Sequence, residues 1–497
     1  MSLMSIRAMT VTAMILVGCG SDPSPTTEGS GSSSTDTMAS STAPSESTST
    51  SSTTTTADSS SSSSADDEST STGEQSLDEL LQEVLAEQDP PVVPLVPPAP
   101  ADPDLVALGE ALFFDPILSG NQDIACATCH HVEYGLGDGL SLTLGTGATG
   151  VGPQRAEGVH PPFVPRHSMS LFNVGHEEFA HMFWDSRVEY GPGGMLVTPA
   201  GPALLPGVAS PLAAQAMFPV LDRLEMRGQP GDMTLGGEPN ELAELADDDP
   251  SAIWTAIMTR LGAIPAYDPL FTAAYPGRTF AELTFADAAN AIAAYESTAF
   301  SFPSAPWDGY LSGDVSAITD TAKLGALLFY GAAGCANCHR GSLLTDHELH
   351  STGVPQLGLG TANAAPFDYG RENVTGESAD RFRFRTPSLR NVEVSAPYMH
   401  DGAHVDFEDL LRHYGDVTNG IANYDSSKLL AELIPTVQQG APHIDEMNDT
   451  LSQELVLEAQ LAGLSNIREF LLTLTDPAVF DLPELRPSSV PSGLDVP

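Results

Sequence analysis

Two short runs carry the chemistry of this chain: Cys126-Ala127-Thr128-Cys129-His130 and Cys335-Ala336-Asn337-Cys338-His339. Both match C-x-x-C-H, the attachment pattern of a c-type haem. Two thiols one helical turn apart can add to the two vinyl groups of one porphyrin. The adjacent histidine then offers a nitrogen to the iron as its proximal ligand. A zinc site or a redox dithiol is the alternative use of such cysteines. At these cysteine and histidine frequencies roughly 0.001 such runs would arise by chance, so finding two favours haem. Together they use four of the five cysteines, Cys126, Cys129, Cys335 and Cys338, and the fifth is Cys19. His130 and His339 are the expected axial ligands.

The elements that must position these runs repeat. Leu108-Gly109-Glu110-Ala111-Leu112-Phe113-Phe114 precedes the first, and Leu324-Gly325-Ala326-Leu327-Leu328-Phe329-Tyr330 the second. Both have the three-and-four apolar spacing of a helix burying one face. Residues 252–261, 285–295, 407–414 and 454–474 also read as helices, and no run of alternating strands is evident. The expected fold is mostly α: an N-terminal cytochrome c-like domain over 105–300 and a C-terminal one over 301–480, with long Gly/Pro-rich loops.

The first hundred residues differ in kind. Residues 1–18 hold an early Arg7 and a short apolar run ending in Leu16-Val17-Gly18-Cys19. That run is too short to span a bilayer and reads as a lipoprotein signal peptide, with Cys19 the acylated residue. An ordinary secretory signal with an incidental cysteine is the alternative. Gly20 after the cysteine favours the outer membrane, so the expected location is the cell envelope, on its periplasmic side or its surface. Residues 19–104 read as a Ser/Thr-rich disordered tether and Pro-rich linker, because so few apolar side chains cannot offset ordering entropy. A short amphipathic helix (Leu77, Leu80, Leu81, Val84, Leu85) interrupts this stretch, and 481–497 reads as an extended Pro-rich tail.

The chain has 497 residues with 66 acidic against 19 basic side chains, a net charge of −47. Phosphates would be repelled over the whole surface, which excludes nucleic acid as a partner. The same field would steer a small basic protein into encounter.

Several further runs, in order, resemble the bacterial di-haem cytochrome c peroxidases and their MauG-like relatives from about Leu105 to Leu474. They are Gly137-Asp138-Gly139-Leu140, Phe183-Trp184-Asp185, Gln215 with Glu225-Met226 ten residues on, Phe384-Arg385-Thr386-Pro387-Ser388-Leu389-Arg390-Asn391, and Ala396-Pro397-Tyr398-Met399-His400-Asp401-Gly402. The resemblance implies that the first haem is the peroxidatic one. Glu225 would move the proton in O–O cleavage, Gln215 would orient the peroxide, and Trp184 would lie between the haems. Thr146 stands where better-known members carry a blocking histidine, which implies an open first iron. His160, His167, His176 and His181 follow it, and a core or surface role is the better reading for each. Tyr414 stands where those members place the second haem's methionine, and MauG-like members have tyrosine there; Met399 and His413 compete for that role.

The family's calcium site would use the backbone carbonyls of Ser395 and Pro397. Its asparagine falls on His167, a poor ligand for a hard cation. The implied activity is reduction of hydrogen peroxide with electrons from a small cytochrome or copper protein. The rivals are a MauG-like oxidase that modifies a Tyr or Trp of a partner through a high-valent di-haem state, and a non-catalytic electron-transfer protein. Family members often dimerise, so a homodimer is a further expectation. The stretch between Trp184 and Gln215 is longer than the family's link and contains Gly191-Pro192-Gly193-Gly194.

Overall fold

A computed structural model describes residues 75–156, 163–361, 365–455 and 463–497. Cys19, the signal and tether segments before residue 75, and His160 lie outside the described residues, as does part of the helix expected over 454–474. Residues 73–497 form one compact unit. Helices dominate, and among the described residues strands occur only as short pieces.

The duplicated sequence has a duplicated packing. Helix Pro103–Phe114 starts on an Asp102 cap, whose carboxylate accepts from the Asp104 N–H. It buries Leu108, Leu112 and Phe113 against helix Phe285–Ala299. A Cβ on Gly109 would stand 1.9 Å from the Ala291 carbonyl oxygen, so only glycine permits this crossing. In the second copy, helix Asp320–Phe329 is capped by Thr319 and packs on helix Leu464–Leu472. There a Cβ on Gly325 would stand 1.9 Å from the Asn466 carbonyl oxygen. The Leu-Gly pair is therefore the point where each opening helix meets the closing helix of its half.

Each half has its own apolar cluster, one around Phe113, Phe114, Trp254 and Phe285, the other around Trp307, Phe329 and Phe470. The chain ends cross over. Helix Leu77–Ala86 puts Leu81 into the second cluster, and the Asp78 carboxylate pairs with Lys323 at 2.9 Å. Further along, the Leu95 N–H donates to Asp308. At the other end Val479, Leu482 and Val490 join the first cluster, and the Ser492 hydroxyl donates to Asp115 at 2.6 Å. Helix Leu77–Ala86, within the expected linker, and residues 482–492 of the expected tail thus strap the half to which they are not adjacent in the chain.

The long stretch after Trp184 supplies two strands, Val188–Tyr190 and Leu196–Val197, of a small antiparallel sheet whose first strand is His181–Met182. Its turn uses Gly193 and Gly194 at φ of 77° and 75°. A second pair, Leu349–His350 with Phe384–Arg385, sits at the boundary between the halves. The Arg385 N–H there donates to the Trp184 carbonyl at 2.7 Å.

Candidate functional site

Each C-x-x-C-H run opens on its own cavity. The first, about 170 Å³, is bordered by Cys126, Cys129, His130, Trp184, Gln215 and Glu225. The second, about 220 Å³, is bordered by Cys335, Cys338, His339, Trp184, Met399 and Tyr414. Both histidines are oriented alike: His130 Nδ1 bonds the Leu136 carbonyl at 3.1 Å and His339 Nδ1 the Leu344 carbonyl at 3.0 Å. Such a bond fixes the tautomer and leaves Nε2 as the donor to a metal.

These surroundings fit a covalently held porphyrin. The four described cysteines are free, and burial pushes the Cys126 and Cys335 thiols up to about 12. A redox dithiol would instead need a thiolate, which such surroundings disfavour. Among the described residues, the one cluster of close metal-ligating groups is Cys338, Asp346 and His350, which takes one cysteine of its run and leaves the other aside.

Glu225 lies in the π-turn Arg223–Arg227, capped by Asp222, whose carboxylate accepts from the Leu224 and Glu225 N–H groups. Burial, with the nearby Asp222 charge, pushes the Glu225 carboxyl up to about 8, against the pull of Arg187 and Arg166. It is therefore a carboxylic acid able to take and give a proton near neutral pH. Gln215 ends helix Pro211–Gln215, held by the Ser210 cap. The Thr146 loop packs directly under Glu225. The Thr146 N–H donates to the Glu225 carbonyl at 2.9 Å, and its hydroxyl donates to Asp123 at 2.7 Å. Gly145 is required there, since a Cβ would stand 1.7 Å from the Leu224 carbonyl oxygen.

Trp184 borders both cavities. Its indole N–H donates to the His167 carbonyl at 3.1 Å, so the partner expected of a core tryptophan is present as well. The turn around it is strained, with φ of 67° at Phe183 and 54° at Ser186. An ion network holds it: Asp185 accepts from Arg166 at 2.6 Å, and Arg166 reaches Asp368 in the other half at 2.6 Å.

Tyr414 comes from helix Phe407–Gly415, whose Asp406 cap accepts from the Asp409 N–H. Burial in the second cavity pushes its hydroxyl well above the usual phenol range. His413 does not border that cavity; its Nε2 bonds the Thr352 carbonyl at 2.9 Å. Met399 does border it, with a φ of 76°. His181 pairs with Glu189 at 3.2 Å, and His176 accepts from the Glu178 N–H. His167 borders both cavities, but its Nδ1 is engaged by the Leu140 carbonyl at 2.8 Å, and burial pushes the ring down to about 4. Its ring supplies no oxygen for a hard cation of the kind expected with the Ser395 and Pro397 carbonyls.

Three wall residues were not singled out from sequence. Arg385 borders both cavities, Arg187 the first, and Glu296 the first, its carboxyl pushed up to about 8 by burial. The signal for Glu296 was available: it follows Ile292 by one turn on the buried face of an otherwise apolar helix.

The comparisons agree with this geometry. Residues 103–316 match the family model described as di-haem cytochrome c peroxidase. The MauG protein of Methylorubrum extorquens is 31% identical over 347 residues, covering 70% of this chain and 78% of that protein. The cytochrome c551 peroxidase of Pseudomonas aeruginosa is 30% identical over 314 residues, covering 63% and 72%. A crystal structure of a MauG-like protein associated with microbial copper homeostasis matches with a TM-score of 0.52 at 24% identity, covering 78% of this chain and 94% of that one. The di-haem peroxidase BthA of Burkholderia thailandensis matches with a TM-score of 0.52 at 20% identity, covering 80% and 91%. With its paired C-x-x-C-H cavities and this breadth of similarity, the chain belongs to the di-haem cytochrome c peroxidase and MauG family, oxidoreductases that act on peroxide and carry two c-type haems.

Proposed function

We propose that the protein reduces hydrogen peroxide at the haem held by Cys126, Cys129 and His130. The electrons would pass through the haem held by Cys335, Cys338 and His339. When bound, each haem supplies an iron able to bind oxygen or to exchange single electrons, according to its axial ligands. Glu225 takes the proton from the oxygen of peroxide that remains and returns it to the oxygen that departs as water. Gln215 orients the peroxide, and Trp184 spans the wall between the sites. Tyr414 would hold the second haem's iron, and its oxygen, deprotonated on binding the metal, would favour the oxidised state. The observation that carries this reading is the single cavity shared by a C-x-x-C-H run, Gln215 and a Glu225 carboxyl whose burial pushes it up to about 8, within reach of both its proton-accepting and proton-donating forms.

The electron donor in this proposal is a small basic cytochrome or copper protein, drawn to a surface of net charge −47. The protein acts at the cell envelope as a lipoprotein anchored through Cys19, on the outer membrane. No helix of the described residues is long and apolar enough to cross a membrane. A homodimer is the expected assembly. Tyr414 in the second cavity also favours the rival reading, a MauG-like oxidase that modifies a Tyr or Trp of a partner protein. Turnover with reduced cytochrome c, set against radical formation on candidate proteins, separates the two. The test of the main proposal is peroxide consumption by the holoprotein with and without Glu225→Gln; full activity in the variant overturns it.

A further inference from the structure

The wall between the two cavities contains a cation with no counter-ion. Arg385 is 3% exposed and borders both cavities. Its Nε donates to the Phe183 carbonyl at 3.2 Å and its Nη2 lies 2.8 Å from the Met169 sulfur, a weak acceptor. Its Nη1 is buried with no partner. The other buried arginines are neutralised or satisfied. Arg227 meets Asp247, Arg390 meets Asp308, and Arg155 donates to the carbonyls of Leu144, Gly145 and Gly150.

A guanidinium cannot shed its charge as a buried lysine can, and an unpaired buried charge is strongly destabilising. The missing partner must therefore be an anion that fills one of the two flanking cavities. A porphyrin brings its own: the carboxylates of its propionate arms. A planar fork with its Nη1 amino group free is the geometry that carboxylates take.

We propose that Arg385 is the carboxylate anchor of the di-haem centre, its Nη1–H donating to a propionate of a haem seated in an adjoining cavity. The contact orients that porphyrin edge beside Trp184, whose carbonyl already accepts from the Arg385 N–H. The positive charge also stabilises reduced over oxidised iron, so its loss lowers the midpoint potential. This inference rests on the two haems of the family and not on the peroxide mechanism.

The test uses the holoprotein with Arg385→Gln and Arg385→Lys. Haems are counted by pyridine haemochrome, and each midpoint potential is measured by redox titration. Resonance Raman reads the propionate bending bands. With two haems bound, the Gln variant should shift the ferrous–ferric equilibrium of at least one haem about tenfold toward ferric, about 59 mV for one electron. It should also move a propionate band. The Lys variant should keep the potential near the wild-type value while altering the band, because the fork is gone. Two haems with unmoved potentials and bands in the Gln variant overturn the proposal. If the Gln variant holds fewer than two haems, the Lys variant decides. Two haems at wild-type potentials uphold the contact, and loss of haem there too overturns it. Absence of peroxide turnover in the wild type would instead count against the proposed function and leave this test intact.

Discussion

The two halves share a scaffold and differ in what lines it. Each opens with a Leu-Gly helix crossing a closing helix at the glycine, and each holds its motif histidine by a backbone carbonyl. The first cavity then receives Gln215 and the acid Glu225, while the second receives Tyr414 and Met399. The motifs also differ in cover. Ala127 and Thr128 of the first are each 1% exposed, whereas Asn337 of the second lies on the surface. Under the proposed function, the site beside an acid would react with a small molecule, and the site with the more exposed motif would exchange electrons with a protein. The residues that do not repeat would then divide the work between the two sites.

The largest effect that would sharpen this contrast is expected for Glu225→Gln. The rate of reaction with peroxide should fall about 10²- to 10⁴-fold by stopped flow, with both haem spectra retained. An equal loss from a conservative change in the second cavity would break the division. Next are the shared crossings. Gly109→Ala and Gly325→Ala should each destabilise by about 1–3 kcal/mol in denaturant unfolding, since each methyl meets a carbonyl across the crossing.

A pH profile adds a smaller effect. Because burial raises the Glu225 carboxyl to about 8, it is protonated below that pH and cannot accept a proton. The second-order rate constant with peroxide should therefore rise as pH approaches 8 and level off above it. Glu225→Gln should remove that rising limb. Smallest is Trp184→Phe, which keeps the ring packing but removes the indole. It should slow electron exchange between the haems severalfold in rapid-mixing spectra while leaving the first reaction with peroxide unchanged.

The haem runs and the opening helices were readable because their information is local: a five-residue spacing and a helical apolar stripe. Gln215 and Glu225 are ten residues apart in sequence, and their meeting at one cavity depends on the Ser210 cap and the Asp222 cap that turn the intervening chain. The crossed ends were not readable. Nothing in the composition near Leu81 or Val490 states which core will accept a lone apolar side chain, and Asp78–Lys323 and Ser492–Asp115 are contacts hundreds of residues apart. Arg385 was visible within a quoted run, but its lack of a counter-ion appears only when Phe183, Met169 and the two cavities surround it. The small sheet flanking Trp184 escaped notice because its strands are two or three residues long, too short to show alternation.

The central claim is that one iron is open and the other closed. Low-temperature electron paramagnetic resonance of the resting holoprotein counts both at once. One high-spin and one low-spin ferric signal in equal amounts is the expected result. Two low-spin signals, with no high-spin component, would contradict the account.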